Sequence, residues 1–319
     1  MQVCMVNDCA FVGETLLRYF PKDVETKHIK RTRGLWDKTF GITWKIFRAK
    51  ADLFHVHYVL QDAYITLKIK RKPVIVHAHG SDVRTSLKNK VWGRIVRYDL
   101  KNCDKNLVST PDILETALKY NGTAEYLPNP VDLEFFHPAP FMPKNSFHVF
   151  YPADMSAVKG TSKFIEGFAK FQEKNPEPHL TMIDYGKDRA AMKQLLKNLD
   201  VKNLVLLPHQ SHAQMRERYW DADVVCTDFN LGVAVVTTLE AMACGRPVIQ
   251  HVEEDFYHKF VVPPAYCAKT PEEIAEGLEY FMDVNKRKKW AEKQSEYINK
   301  VHDHREIVKR VIGIYEELL

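Results

Sequence analysis

Three stretches of this 319-residue chain put side chains suited to phosphate chemistry where a strand gives way to a helix. In VIVHAHGSDVR, residues 74–84, a Val/Ile-rich run ends at His79, and Gly80, Ser81 and Asp82 read as a turn. In AVKGTSKFIEGFAKF, residues 157–171, Lys159 comes just past a strand, at a loop-to-helix turn. An ammonium there would neutralise charge on a departing nucleotide. In residues 221–250 a strand ends at Phe229, a short loop holding Gly232 follows, and a helix starts near Val235. Such a helix opens with unpaired backbone N–H groups and a partial positive charge, a natural seat for a pyrophosphate. Glu240 lies within that helix, in position to reach a ribose hydroxyl. Near the start of the chain, Gly13 in FVGETLL either lets the backbone approach a phosphate or simply serves a turn.

Other chemistries are weaker in the same residues. His55 with His57, and His77 with His79, are spaced for one face of a strand and could be metal ligands, but no carboxylate pattern completes a hydrolase site. Asp221-Ala222-Asp223 has a metal-binding D-x-D spacing, yet it reads better as the close of a helix and the opening of the strand Val224-Val225-Cys226. The expectation is therefore a metal-independent protein without a cofactor. The six cysteines are scattered with no C-x-x-C pair, which suits reduced, buried thiols in a cytoplasmic protein.

The elements that must position these residues alternate regularly. Strand candidates are MQVCMVN, VETKHI, DLFHVHY, KPVIVHAH, KNLVST and AEYLPN, separated by runs with apolar residues at three- and four-residue spacing. LPNPVDLEFFHPAPFMPKN then packs five prolines into 19 residues and reads as a linker. The alternation restarts with SFHVFYPA, HLTMIDYG, NLVLLPH, DVVCTDF and PVIQHV as strands, and the last 50 residues read as helix. Strand–helix alternation implies parallel pairing and doubly wound sheets. The expected domains are 1–143 and 144–319, with the last helix packing back on the first. Ligands of open α/β sheets bind outside the carboxyl ends of the strands, which places the ligand between two such domains. No apolar run approaches the length of a membrane-spanning helix, and the N-terminus reads as a buried strand rather than a signal peptide.

The run LEAMACGRPVI, residues 239–249, resembles the hallmark of the retaining glycosyltransferases of family 4, which have the GT-B fold. AVKGTSKFIEGFAKF is similar to that family's K-G element, whose Lys meets the donor diphosphate. HGSD is similar to its segment in which the His contacts the donor sugar near the reacting carbon. The resemblance covers nearly all of residues 50–282 and implies α/β architecture with two facing Rossmann-like doubly wound domains. It implies transfer of a hexose from a UDP- or GDP-sugar to a glycan, lipid-linked or small-molecule acceptor, with retention at the anomeric carbon. His79 would be catalytic. Gly13, Asp82, Lys159, Gly186, Lys187, His209, Gly232, Val233, Ala234 and Glu240 would bind the nucleotide sugar. Three positions depart from the pattern. Gly232 stands where the first Glu of the hallmark belongs, Asp154 stands where an Arg is common, and the N-terminal Gly-Gly loop is reduced. Lys187 or Arg189 could replace the Arg. These departures leave a second reading, an inactive subunit that binds a nucleotide sugar or a partner; a GT-B epimerase lacks its carboxylate set.

Charge divides unevenly. Residues 1–150 carry 23 Lys/Arg against 15 Asp/Glu, while the whole chain is at +5. Either these are solvated helix faces, or the first domain, through residues such as Lys68, Lys70, Arg71 and Lys72, rests on an anionic membrane surface. Nucleic acid is not expected, because the basic residues are not interleaved with surface aromatics and no recognition motif is present.

Overall fold

A computed structural model describes residues 1–31, 34, 36, 40–141 and 146–319. By contacts the chain separates into two units, Met1–Pro130 with His302–Leu319, and Val131–Val301. The boundary expected between residues 143 and 144 lies outside the described residues. Residues 131–141 of the Pro-rich run belong to the second unit. They are held there by Arg246, whose wholly buried guanidinium donates to the carbonyls of Ala139 (2.7 Å), Pro140 (3.2 Å) and Trp220 (2.7 Å).

The first unit carries a six-stranded sheet built from β1 (Gln2–Val6), β2 (Glu25–Ile29), β3 (Leu53–His57), β4 (Val74–Ala78), β5 (Lys105–Val108) and β6 (Glu125–Tyr126). The order is β2-β1-β3-β4-β5-β6, parallel throughout. β3 and β4 are buried at every residue, as expected of strands covered on both faces. The last helix, His304–Leu318, belongs to this unit and buries Ile307, Val308, Val311, Ile314 and Tyr315 against Val3, Met5, Leu53 and Ile75. Its amphipathic spacing is local, but its partner lies some 250 residues earlier in the chain.

The second unit repeats the plan with β7 (His148–Tyr151), β8 (His179–Ile183), β9 (Leu204–Leu207), β10 (Val224–Cys226), β11 (Val248–Gln250) and β12 (Tyr266–Cys267), in the order β12-β11-β10-β7-β8-β9. All its pairings are parallel. β12 was not among the expected strands. It is two residues long, follows Pro263-Pro264, and exists through its pairing with β11. Helix Thr161–Lys174 sets Phe164, Phe168 and Phe171 on one buried face, and Phe164 stacks on Tyr151 at 4.4 Å. Each such ring contributes about 1.5–3 kcal/mol by leaving water. Helix Pro271–Tyr280 starts at a Thr270/Glu273 capping box and crosses Thr161–Lys174 closely at Gly167, where a Cβ would meet Ile274 Cβ at 2.7 Å. Among the described residues no helix is long and apolar enough to cross a membrane.

Candidate active site

In the second unit the strand order reverses between β7 and β10, and a doubly wound sheet offers its ligand crevice at that point. The loops leaving these two strands are tied together. Phe229 N–H donates to the Lys159 carbonyl (2.9 Å), and the Asn230 amide donates to the Ala157 carbonyl (2.7 Å). Lys163 reaches back to the Asn230 side chain (2.6 Å). Gly160 adopts φ +70°, and a Cβ there would press on Phe229 Cβ at 3.0 Å, so the turn after Lys159 demands glycine. The Lys159 ammonium lies 3.2 Å from an oxygen of Asp228, whose carboxylate is wholly buried. The other Asp228 oxygen accepts from the N–H groups of Asn230 (2.9 Å) and Leu231 (2.6 Å).

The loop continues through Gly232 at φ +73° to helix Val236–Ala243, which opens at Val235 with no side-chain cap. Val233 and Ala234 are buried, and the Ala234 N–H is donated to the Tyr257 hydroxyl (3.0 Å). A side chain at position 232 would be strained by the backbone and would meet Glu253 Cβ at 2.7 Å. Position 232 is thus crowded by Glu253, half-exposed from the loop after β11. Glu240 is buried, with one oxygen accepting from Tyr219 Oη (2.8 Å) and the other 3.0 Å from His212 Nε2.

The loop after β8 joins from the other side. Met155 N–H donates to the Tyr185 carbonyl (2.8 Å) and Ala157 N–H to the Asp188 carboxylate (2.8 Å). Gly186 sits at φ +122°, where a Cβ would strike Met155 backbone at 2.5 Å. Lys187 and His209 are exposed, and the His209 ring meets Tyr185 edge-on at 5.8 Å. Arg189, half-exposed, and Lys193 share Asp184, at 3.0 and 3.1 Å. Asp154 is half-buried, its backbone carbonyl accepting from Thr161 (3.2 Å).

In the first unit Asp82 is buried, and its carboxylate accepts from the N–H groups of Val59 (2.9 Å), His79 (3.1 Å) and Val83 (3.1 Å). It ties the ends of β3 and β4 together. The Gly13 N–H is donated to Asp8 (2.8 Å), and a Cβ on Gly13 would come within 3.0 Å of His57 Nε2. His55, His57, His77 and His79 form a stacked ladder. Tyr315 bonds His55 Nδ1 (2.6 Å), His55 Nε2 meets His77 Nδ1 (3.2 Å), and His57 Nδ1 meets His79 Nε2 (2.8 Å). Among the described residues, His77 Nε2 and His79 Nδ1 are buried without a hydrogen-bond partner. Burial, with smaller effects from neighbouring rings, holds all four well below the usual histidine range, His57 at about 3. A neutral His79 can hydrogen-bond a sugar but supplies no cation. Ligand atoms of His55, His57 and His77 lie within 4.8 Å of one another, the set among the described residues that could hold a metal ion. A separate cavity of about 300 Å³, lined by Asn7, Arg31, His57, Tyr58 and Trp92 among others, opens at the carboxyl ends of β1 and β3, where this sheet's order reverses.

The family model for group 1 glycosyl transferases matches residues 133–298, just over half of the chain. The chain belongs to this family. Residues 13–135 match the model of glycosyltransferase family 4. No curated protein matches in sequence. Among solved structures the chain is similar to sucrose-phosphate synthase of Thermosynechococcus elongatus, at 16% identity and TM-score 0.77 over 100% of this chain and 99% of that one. It is also similar to HepE of Anabaena in complex with UDP-glucose, at 12% identity and TM-score 0.80 over the whole of both chains. A glycosyltransferase from Rickettsia africae matches at 13% identity and TM-score 0.66, over 99% and 98%. At these identities the likeness is one of fold, and that fold is GT-B.

In this group 1 glycosyl transferase, sequence reasoning overlooked the side chains that hold the named residues. Asp228 beneath Lys159, His212 and Tyr219 around Glu240, Tyr257 on Ala234 and Glu253 beside Gly232 all belong to neighbouring loops or helices. Asp228 carried a signal, a buried acid at the end of an apolar strand; the others carried none in their own segments. The D-x-D pair sits at the amino end of β10. Asp223 pairs with Arg287 (3.3 Å) and accepts from His148 N–H (2.9 Å), while Asp221 lies 3.0 Å from the His148 ring.

Proposed function

We propose that this chain moves a hexose from a UDP- or GDP-sugar to a glycan, lipid-linked or small-molecule acceptor, with retention of anomeric configuration. One observation carries the reading. The Lys159 ammonium and the uncapped start of helix Val236–Ala243 flank one tied pair of loops at the strand-order reversal of the second unit. A cation and a helix N-terminus together suit a diphosphate leaving group. Glu240 would accept from ribose hydroxyls, each of its oxygens keeping a lone pair beyond its present partner. Gly186, Lys187 and His209 would border the nucleotide, and Glu253 would supply the carboxylate that Gly232 lacks. His79 would bond the sugar as a neutral ring, held by Asp82 and His57. Retention rests on the family resemblance. Metal independence is favoured because Asp221 and Asp223 are engaged at the opposite end of β10.

The acceptor is assigned to the first unit, where the cavity beside Arg31, Tyr58 and Trp92 lies. Calorimetry against UDP-, GDP- and ADP-sugars tests donor binding, and proton NMR of the product reads the anomeric configuration. UDP-sugars lead the panel because HepE, of the same fold, is held with UDP-glucose. Absence of nucleotide binding across the panel would sink the reading. Binding with neither transfer nor hydrolysis would instead establish the non-catalytic subunit.

A further inference from the structure

Four aromatic rings stand out of the first unit within twelve residues. Trp36 is 78% exposed, Phe40 70%, Trp44 59% and Phe47 56%. They pair with each other, Trp36 with Phe40 at 5.6 Å and Trp44 with Phe47 at 6.1 Å. Helix Ile42–Arg48 is itself docked, since Ile42 and Ile46 are wholly buried and the helix packs on β2 and on helix Gln61–Lys68. Its second apolar face is therefore presented to solvent by a seated helix. Exposed ring pairs of this kind mark an interaction surface.

The charge beside the rings says what the surface meets. Among the described residues a concavity of about 380 Å³ is lined by Lys27, His28, Ile29, Lys30, Trp44, Lys45 and Arg48, four basic side chains and no acidic one, with Lys30 also paired to Glu14. Contrary to the expectation that basic residues and surface aromatics stand apart, Arg48 lies 5.4 Å from the Trp44 ring centre and Arg71 lies 5.9 Å from that of Phe47. Protein–protein interface cores are depleted in lysine. Trp and Phe flanked by Lys and Arg are the composition of a helix lying in a lipid interface, where rings enter the acyl boundary and cations meet headgroup phosphates. We propose that Trp36, Phe40, Trp44 and Phe47, with Lys27, Lys45 and Arg48, seat this unit on an anionic lipid leaflet. The patch differs from the basic run expected at residues 68–72. There Lys68 lies over the Tyr98 ring at 4.2 Å and Lys72 pairs with Asp104 at 3.4 Å, while Arg71, against Phe47, is where that run meets this patch.

The proposal takes the lipid-linked branch of the acceptor reading. Vesicle binding needs no donor, so the failure of either is distinguishable from the failure of the other. The full chain is sedimented with phosphatidylserine–phosphatidylcholine vesicles and with pure phosphatidylcholine vesicles, at low and physiological salt. Binding to the anionic vesicles that falls with salt, and far weaker binding to the neutral ones, is expected. Lys27→Glu and Lys45→Glu should each weaken it about fivefold or more, the equivalent of roughly 1 kcal/mol per cation. Trp44→Ser/Phe47→Ser should reduce it further and diminish quenching of tryptophan emission by brominated lipid, leaving the part due to Trp36. These side chains are surface-exposed, and unchanged melting and nucleotide binding of the variants confirm an intact fold. No binding to anionic vesicles at low salt overturns the proposal. Binding that the aromatic variant leaves unchanged overturns it too, as does concentration-dependent dimerisation that the same variant abolishes while vesicles stay unbound.

Discussion

Replacing Lys159 by Ala should cost this protein stability as well as donor affinity, and a second substitution separates the two. The ammonium lies 3.2 Å from a carboxylate that is wholly buried. At an effective dielectric of about 20, unit charges at that distance attract by about 5 kcal/mol, offset in the native state by the desolvation of both. Removing only the lysine leaves Asp228 as an uncompensated buried charge, an expected loss of about 3–5 kcal/mol. Asp228→Asn keeps an oxygen for the Asn230 and Leu231 N–H groups and should cost less, about 1–2 kcal/mol. The double variant Lys159→Ala/Asp228→Asn should recover much of the loss caused by Lys159→Ala alone. Urea denaturation followed by circular dichroism measures all three. Calorimetry with UDP and GDP then reads the site. Lys159→Ala and the double variant should lose about 1.5–3 kcal/mol of nucleotide affinity, the scale of a charge-assisted contact. Asp228→Asn should keep its affinity or gain, since the ammonium is no longer shared. Full nucleotide affinity in the double variant would remove Lys159 from the donor site. Undiminished stability of Lys159→Ala would refute the ion-pair argument.

Three further outcomes are expected. Glu240→Gln should lose nucleotide affinity while keeping the helix, because both residues have similar propensity and Gln can still bond His212 and Tyr219; normal binding with a lowered melting temperature would show Glu240 to be purely structural. Burial holds His57 at about 3 and His302 at about 4, so below about 6.5 the unfolded chain binds protons that the folded one refuses. The stability these neutral rings allow is whole above 6.5 and lost as pH falls towards 4, by roughly 1.4 kcal/mol per ring per pH unit, and urea midpoints that hold steady from pH 7 to 5 would contradict this. Asp99 is the opposite case: burial raises it to about 9, and neither carboxylate oxygen has a hydrogen-bond partner among the described residues. Its contribution is favourable below 3.8 and lost as pH rises, so Asp99→Asn should stabilise the protein at pH 7 by up to about 4 kcal/mol and by little near pH 4; equal gains at both pH values would refute the cause.

The sequence by itself determined the repeated strand–helix plan, because burial on both faces of a parallel sheet writes itself as short apolar runs at each strand. β3, β4 and β10 were legible for that reason, and so was the helix carrying Glu240, whose residues all lie in one segment. β12 was not, since two residues beside a Pro-Pro pair have no period to read. Nor could local pattern say which loops would touch. Asp228 meets Lys159 only because β10 lies beside β7, and Asp82 binds Val59 only because β4 lies beside β3. Tyr315 reaches His55 across 260 positions because the final helix returns to the first unit, and Arg246 draws residues 139 and 140 into the second. Strand adjacency is set by how whole elements bury their apolar faces, a sum over the entire chain. The partners that hold each candidate site residue were therefore decided by the tertiary structure, while the identity of several of those residues could be read in their own segments.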